Sequence, residues 1–315
     1  MSQPIQIAVS ACLLGEKVRY DGGHKRDAYV ADVLSRYFRL VPVCPEHECG
    51  LGIPREPIQL EGDPAAPRLV TVQTRRDLTA RMSRYCERRG AALATEDVDG
   101  FILKSRSPSC GLRGVRIFRT GGRARSGRGL FAAAVARRFS LLPLEDEGRL
   151  EDPALRENFV ERLFARRRLR DLVARGGGVG ALVEFHARHE LQLMAHHPVR
   201  CRELGRLVAS GKRLGRSEMC ARYQRLFMAA LATVATPKKN SDVLLHIAGL
   251  LEKQLGGDEK IELLELIDRH RRGLVPLLAP LTLLKHYVRV HRPAYLEQQT
   301  FLDPHPGELM LRNRV

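Results

Sequence analysis

Three cysteines each follow an apolar, strand-prone run. Cys12 lies in Ser10-Ala11-Cys12-Leu13-Leu14-Gly15, Cys44 in Val43-Cys44-Pro45-Glu46, and Cys110 in Ser107-Pro108-Ser109-Cys110-Gly111. The runs before them are Ile5 to Val9, Phe38 to Val43 and Phe101 to Leu103. Side chains just past the C-terminal ends of parallel strands converge on one crevice. The three thiols are therefore expected to meet, although they lie far apart in the chain. Three thiolates suit a metal or an iron–sulfur cluster with one position left open, and an open position is where chemistry happens. Spacing alone leaves inert thiols as the alternative. Cys49 stands at C-x4-C from Cys44, but Gly50-Leu51-Gly52 beside it looks like a turn, and spacing alone supports a fourth ligand weakly. Cys86, Cys201 and Cys220 fall in helical patterns and read as small buried hydrophobes.

The elements that must position these thiols alternate. Apolar runs predict strands near 5–9, 39–43, 100–103 and 115–118. Helical patterns run from Asp27 to Tyr37, Arg75 to Ala94 and Gly129 to Arg138. Such βαβ alternation argues for an α/β domain with a mostly parallel, Rossmann-like sheet and helices on both faces. Between 50 and 69 the prolines Pro54, Pro57, Pro64 and Pro67 disfavour helix and central strand, so a shaped loop or an edge is expected. From Asp152 onward apolar residues recur every three or four positions, with stretches at 182–195, 199–210, 217–234, 241–255, 259–271 and 278–290. The expectation is an α/β domain over 1–145 and an all-α domain over 150–315, divided by an acidic turn between Pro143 and Gly148.

Length and charge narrow the function. The chain has 315 residues, 44% of them hydrophobic, which is enough for two cores. Seven cysteines at irregular spacing do not form a secreted disulfide framework. Neither a signal-like start nor a long uncharged run is visible, so a cytoplasmic location is expected. The formal net charge is +17, mostly from arginine, which forks onto phosphates and stacks on bases. A polyanionic partner fits; a GC-rich genome favouring arginine codons is the bland account. Arg113, Arg116, Arg119, Arg123, Arg125 and Arg128, interleaved with Gly121, Gly122 and Gly127, directly follow the Cys110 motif. With Lys104 and Arg106 they suit an RNA backbone at the rim of the site, unless they are merely a solvated hairpin tip. His186 and His189, at i, i+3, could hold a metal but read as ordinary polar helix residues, and Arg166 to Arg168 with Arg170 read as a solvated helix face, an optional addition to RNA docking. There is no P-loop, GxGxxG fingerprint or GxSxG elbow.

The residues around the cysteines form an ordered set. Val18-Arg19-Tyr20-Asp21-Gly22-Gly23 follows Cys12; Gly52-Ile53-Pro54-Arg55-Glu56-Pro57 follows Cys44; Lys104-Ser105-Arg106 precedes Ser107. Over roughly 4–145 this set resembles the thiouracil desulfidase (TudS-like) family. Leu193-Met194-Ala195-His196, Leu204-Gly205-Arg206-Leu207, Val275-Pro276-Leu277 and Glu308-Leu309-Met310-Leu311-Arg312-Asn313 resemble the helical domain often fused behind it. The fused architecture is similar to RudS-type desulfidases, which remove sulfur from 4-thiouridine in tRNA.

The resemblance implies a [4Fe-4S] cluster held by Cys12, Cys44 and Cys110, whose open iron binds the substrate's sulfur. It also implies a catalytic carboxylate and a serine, which by motif position are Glu46 and Ser107. Bottom-up chemistry agrees. Replacing C=S by C=O is a hydrolysis with no net electron transfer, and sulfide leaves poorly unless a soft Lewis acid takes up its charge. A carboxylate two residues after a ligand is placed to act as general base. A plain surface carboxylate for Glu46 and a turn-forming hydroxyl for Ser107 are the alternatives. The expected function is therefore desulfidation of 4-thiouridine in tRNA, with the helical domain helping to dock RNA. The rivals are a desulfidase of free thiouracil or thionucleosides, and a non-enzymatic iron–sulfur regulator or RNA-binding protein.

Overall fold

A computed structural model describes residues 4–119, 122–210 and 215–313. It divides into two compact units, Met1–Asp152 and Pro153–Val315.

The first unit is built on a parallel sheet. β1 (Gln6–Ser10) and β2 (Arg39–Val43) pair with Gln6 opposite Arg39 and Ser10 opposite Val43. Three further elements come next in the chain: a single turn, α1 (Pro45–Glu48), and the hairpin β3 (Ile58–Asp63) and β4 (Ala66–Thr71). α2 (Thr79–Thr95) leads to β5 (Gly100–Leu103). A second hairpin, β6 (Val115–Arg119) and β7 (Gly122–Gly127), precedes α3 (Leu130–Arg138) and β8 (Leu144–Asp146). One sheet has the order β2-β1-β5-β8, with every pair parallel. β1 and β5 are buried along their whole length, as central parallel strands covered on both faces must be. Ala8, Phe101 and Leu103 pack with Met82 and Tyr85 of α2 and Phe131 and Val135 of α3.

The second sheet, β4-β3-β6-β7, was not legible in the sequence. The proline-rich stretch expected to be a loop or edge contains β3 and β4, and Pro67 lies on β4 at the sheet's edge, where a missing N–H costs no ladder bond. β6, grouped with the other strands from its apolar content, belongs to this sheet. Its Val115 and Ile117 are buried while Arg116 and Phe118 face outward, the alternation of a sheet with one wet face. The acidic stretch read as a boundary turn is β8, with Glu145 and Asp146 both buried. The helix expected from Asp27 to Tyr37 is present as a wide π-turn over Tyr29–Val33 followed by a tight turn over Leu34–Arg36.

In the second unit every regular element among the described residues is helical. The helices are α4 (Pro153–Ala174), α5 (Val179–His196), α6 (Pro198–Ala209), α7 (Arg216–Leu231), α8 (Pro237–Leu250), α9 (Gly257–Arg271), α10 (Leu278–His291) and α11 (Ala294–Glu297). Its centre is partly polar. Glu161 meets His196 Nε2 at 3.0 Å and accepts from Gln192 Nε2 at 2.8 Å, and Arg312 reaches Glu157 at 3.0 Å and Glu161 at 3.6 Å. His186 and His189 are buried and hydrogen-bonded: His189 Nδ1 donates to Phe185 O at 2.7 Å, and His186 pairs with the Tyr223 hydroxyl at 3.2 Å. One expectation fails here. The arginines at 166–168 do not form a solvated face, because Arg168 donates inward to His189 Nε2 (3.2 Å) and Pro304 O (2.9 Å), and Arg167 pairs with Asp171 at 3.0 Å.

Candidate active site

The three strand ends deliver the three thiols to one cavity. Cys12 lies in the tight turn Ala11–Leu14 that follows β1, which Gly15 closes in the left-handed region at φ 98°. Cys44 follows β2 directly and starts α1; its N–H donates to Glu48 Oε1 at 2.6 Å. Cys110 ends the loop after β5, where Ser107 Oγ accepts from the N–H groups of Ser109 (3.2 Å) and Cys110 (3.1 Å). Gly111 must be glycine: an added Cβ would fall 2.4 Å from Val115 Cγ2 and 2.8 Å from Ser107 O. Cys12, Cys44, Glu46, Lys104, Arg106, Ser107 and Cys110, all singled out from the sequence, line a single cavity of about 300 Å³.

Glu46 is held at both oxygens. Arg55 forks onto Oε2 with Nε at 3.1 Å and Nη2 at 2.5 Å. Oε1 accepts from Ser109 Oγ at 3.0 Å and Ser107 Oγ at 3.4 Å. Arg55 Nη1 also donates to Val18 O and Gly52 O, each at 3.0 Å, so the proline-rich loop is tied across to the cavity wall. Sequence reasoning quoted Arg55 and Ser109 inside motifs but gave them no role; an arginine between Pro54 and Pro57, on a loop with few other ways to be fixed, was the available signal. Tyr20, 41% exposed with Arg19 over its ring at 5.3 Å, also lines the cavity and was likewise unassigned.

The thiols are electrically coupled. Burial pushes the Cys12 thiol up to about 11, and neighbouring Cys44 adds to this. Burial pushes Cys110 well above the ordinary thiol range; a hydrogen bond with Ser10 opposes it, while Glu46, Cys12 and Cys44 reinforce it. Cys44 is raised by the same burial. With all three raised, the thiols are neutral near pH 7, and a coordinating cation would be what deprotonates them. No three His, Cys, Asp or Glu side chains among the described residues gather closely enough for one metal ion. Three soft sulfur donors spread around a cavity fit a cluster, in which each thiolate takes a different iron, better than a mononuclear site. Cys49 does not line the cavity; its Sγ lies 3.4 Å from Glu46 O and it packs against the core.

The basic residues separate into three kinds. Lys104 Nζ is ion-paired with Glu147, which also accepts from Ser105 N at 2.8 Å and Ser105 Oγ at 2.7 Å. Burial alone would raise the Glu147 carboxyl, but the bonds from Lys104 and Ser105 outweigh it and hold it below the usual range. Arg113 pairs with Glu145 at 3.2 Å, and Arg128 Nε donates to Leu112 O at 3.1 Å. Arg106, Arg116, Arg119, Arg123 and Arg125 are exposed and make no ion pair among the described residues. Of the predicted RNA contacts only Lys104 and Arg106 reach the cavity; the other arginines lie outside it. Gly121, expected within the arginine-rich turn, lies outside the described residues.

An open parallel sheet with its thiols and a buttressed carboxylate at the carboxyl ends of the strands is the layout of an α/β enzyme. Residues 7–147 match the model of the 2-thiouracil desulfurase family, and residues 190–306 match a family described as a protein of unknown function, DUF1722. The chain is 33% identical over 153 residues to the uncharacterized protein YbgA of Escherichia coli (strain K12), spanning 48% of this chain and 90% of that one. It is 35% identical to the [4Fe-4S]-dependent thiouracil desulfidase TudS of a solved structure, covering 47% of this chain and 93% of that chain at a TM-score of 0.39. The chain belongs to the 2-thiouracil desulfurase family in its first unit and carries a DUF1722 region in its second.

Proposed function

We propose that this protein is a non-redox desulfidase that converts 4-thiouridine in tRNA to uridine, using a [4Fe-4S] cluster held by Cys12, Cys44 and Cys110. One observation carries the reading: three coupled thiols and a doubly anchored glutamate line one cavity, in a chain of the 2-thiouracil desulfurase family. Three cysteine ligands leave one iron of a four-iron cluster without a protein ligand. When bound, the cluster supplies a soft Lewis acid for the thiocarbonyl sulfur.

The chain's own residues do the remaining work. Glu46 Oε1 faces the serine hydroxyls, so a water near Ser107 and Ser109 is within reach of a proton acceptor. Arg55 fixes the other oxygen and sets the carboxylate's direction. The balance is C=S plus water giving C=O plus hydrogen sulfide: the water oxygen bonds to the ring carbon, the C–S bond breaks, and both protons leave with sulfur. Glu46 carries one of them between water and sulfur. Lys104 is ion-paired with Glu147 and serves the cavity wall, while Arg106 at the rim, without an ion pair among the described residues, can meet a phosphate.

The tRNA substrate is supported by the net charge of +17 and by exposed arginines near the cavity that have no ion pair among the described residues. The family's name points to a free base as the second reading. Turnover of 4-thiouridine-containing tRNA and of free 4-thiouracil, each measured at rising salt, separates them. A tRNA-directed enzyme loses kcat/KM on tRNA steeply with salt and little on the base; an enzyme for free bases acts on the base and ignores the tRNA.

A further inference from the structure

Three depressions on the first unit share their walls. Ile58, Arg106 and Pro108 line both the thiol cavity and a groove over β3 and β6. Phe118 lines both that groove and a third depression bounded by Arg119 and Arg125. The surface is thus continuous from the thiols across the outward face of the second sheet. The two outer depressions, about 590 and 710 Å³, are each roomier than the thiol cavity at about 300 Å³, so each has space for a nucleotide.

The character of this track is specific. Phe118 is 40% exposed because β6 turns it outward while Ile117 is fully buried. A single exposed phenylalanine is ordinary on a protein surface. This one stands between Arg116 and Arg119, with Arg106 and Arg125 alongside, and none of the four has an ion-pair partner among the described residues. The acids in the track are Glu61, already paired with Arg75 at 2.5 Å, and Asp63. Aromatic faces interleaved with free cations are the surface that binds unstacked nucleic acid: bases stack on the ring and phosphates meet the arginines. A thiolated base entering the cavity must leave its stack, which unstacks its neighbours as well.

We propose that this groove holds the RNA strand flanking the thiolated base, with one neighbouring base stacked on Phe118 and its phosphates on Arg106, Arg116 and Arg125. The proposal rests on RNA being the substrate. Its test uses the full-length reconstituted protein and thiolated tRNA. Phe118→Ala should weaken tRNA binding about tenfold, the scale of one lost base stack. It should also lower the ratio of kcat/KM on tRNA to kcat/KM on free 4-thiouracil by a similar factor, and Phe118→Tyr should restore both. Phe118 is not part of the buried core, so the variants' thermal unfolding should match the parent's. Binding and ratio both within twofold of the parent in Phe118→Ala, with the parent active on tRNA, would overturn the groove alone. A parent with no activity on thiolated tRNA would remove the substrate reading and the groove with it.

Discussion

Replacing Glu46 by glutamine removes a base and keeps a shape. Both carboxylate oxygens are acceptors, and four donors point at them: Arg55 Nε and Nη2 at 3.1 and 2.5 Å, Ser109 Oγ at 3.0 Å and Ser107 Oγ at 3.4 Å. Glutamine keeps one acceptor. Its oxygen must turn to Arg55, which only donates, so its NH2 faces the serines. Ser109 Oγ can rotate to accept; Ser107 Oγ already accepts from the N–H groups of Ser109 and Cys110, so only its longer contact at 3.4 Å is lost, and Arg55 keeps its bonds to Val18 O and Gly52 O. The stability cost is the charge assistance of one pair, about 2 kcal/mol. The thiols are untouched. The chemical cost is larger: a general base contributes roughly 10²- to 10⁴-fold, and even the lower figure is about 2.7 kcal/mol of barrier. After anaerobic reconstitution, Glu46→Gln should match the parent in iron content, visible absorption and tRNA binding. Its sulfide release in single turnover should fall at least about a hundredfold, equally on tRNA and free base. Turnover within a few-fold of the parent would make Glu46 a bystander; loss of the cluster together with activity would make it structural.

Alanine at Cys12, Cys44 or Cys110 should each abolish cluster absorption, while Cys49→Ala keeps it, because only the first three line the cavity; full iron content in any of the three would contradict the ligand set. The pair Arg116→Gln and Arg125→Gln should flatten the salt dependence of tRNA binding by about one to two units of log–log slope, whereas Arg113→Gln, whose guanidinium already serves Glu145 at 3.2 Å, should change it far less. In the second unit, Glu161→Ala strands His196 Nε2 and Gln192 Nε2, while Arg312 keeps Glu157 and Phe301 O, and should destabilise that unit by about 3–5 kcal/mol in calorimetry of the full chain. pH gives the sign of the same pair. Burial alone would lower His196, but the Glu161 carboxylate at 3.0 Å raises it, so its stabilisation is full below about pH 6.5 and is lost as pH rises through the raised value. Glu161, which burial would raise and His196 depresses, contributes above about pH 4.3 and is lost only in stronger acid. The gap in melting temperature between the parent and His196→Asn should therefore be wider at pH 5.5 than at pH 8.5; a gap that widened upward would refute the pairing.

The place of the candidate site was legible because it rests on strand ends. Apolar runs before Cys12, Cys44 and Cys110 locate β1, β2 and β5, and in a parallel sheet that placement brings their following residues together. Glu46 and Ser107 come with the same loops. Arg55 forks onto Glu46 from the proline-rich loop, and its place between Pro54 and Pro57 marks a fixed loop without showing which carboxylate it meets. The second sheet was hidden for a related reason: β3 and β4 are proline-flanked and half-exposed, so composition masks their alternation. Periodicity located the helices of the second unit well, but it could not tell an arginine that snorkels outward from one, like Arg168, that turns inward to a buried histidine and a carbonyl.

The most direct test of the central claim follows the oxygen and the sulfur together. Anaerobically reconstituted protein is incubated with 4-thiouridine-containing tRNA in isotopically labelled water, and the nucleosides are analysed by mass spectrometry while sulfide is titrated. The account predicts that 4-thiouridine becomes uridine carrying one solvent oxygen, with one sulfide released per base, no added reductant, and no reaction in Cys110→Ala. Unchanged 4-thiouridine, or turnover that needs an electron donor or survives without Cys110, would contradict it.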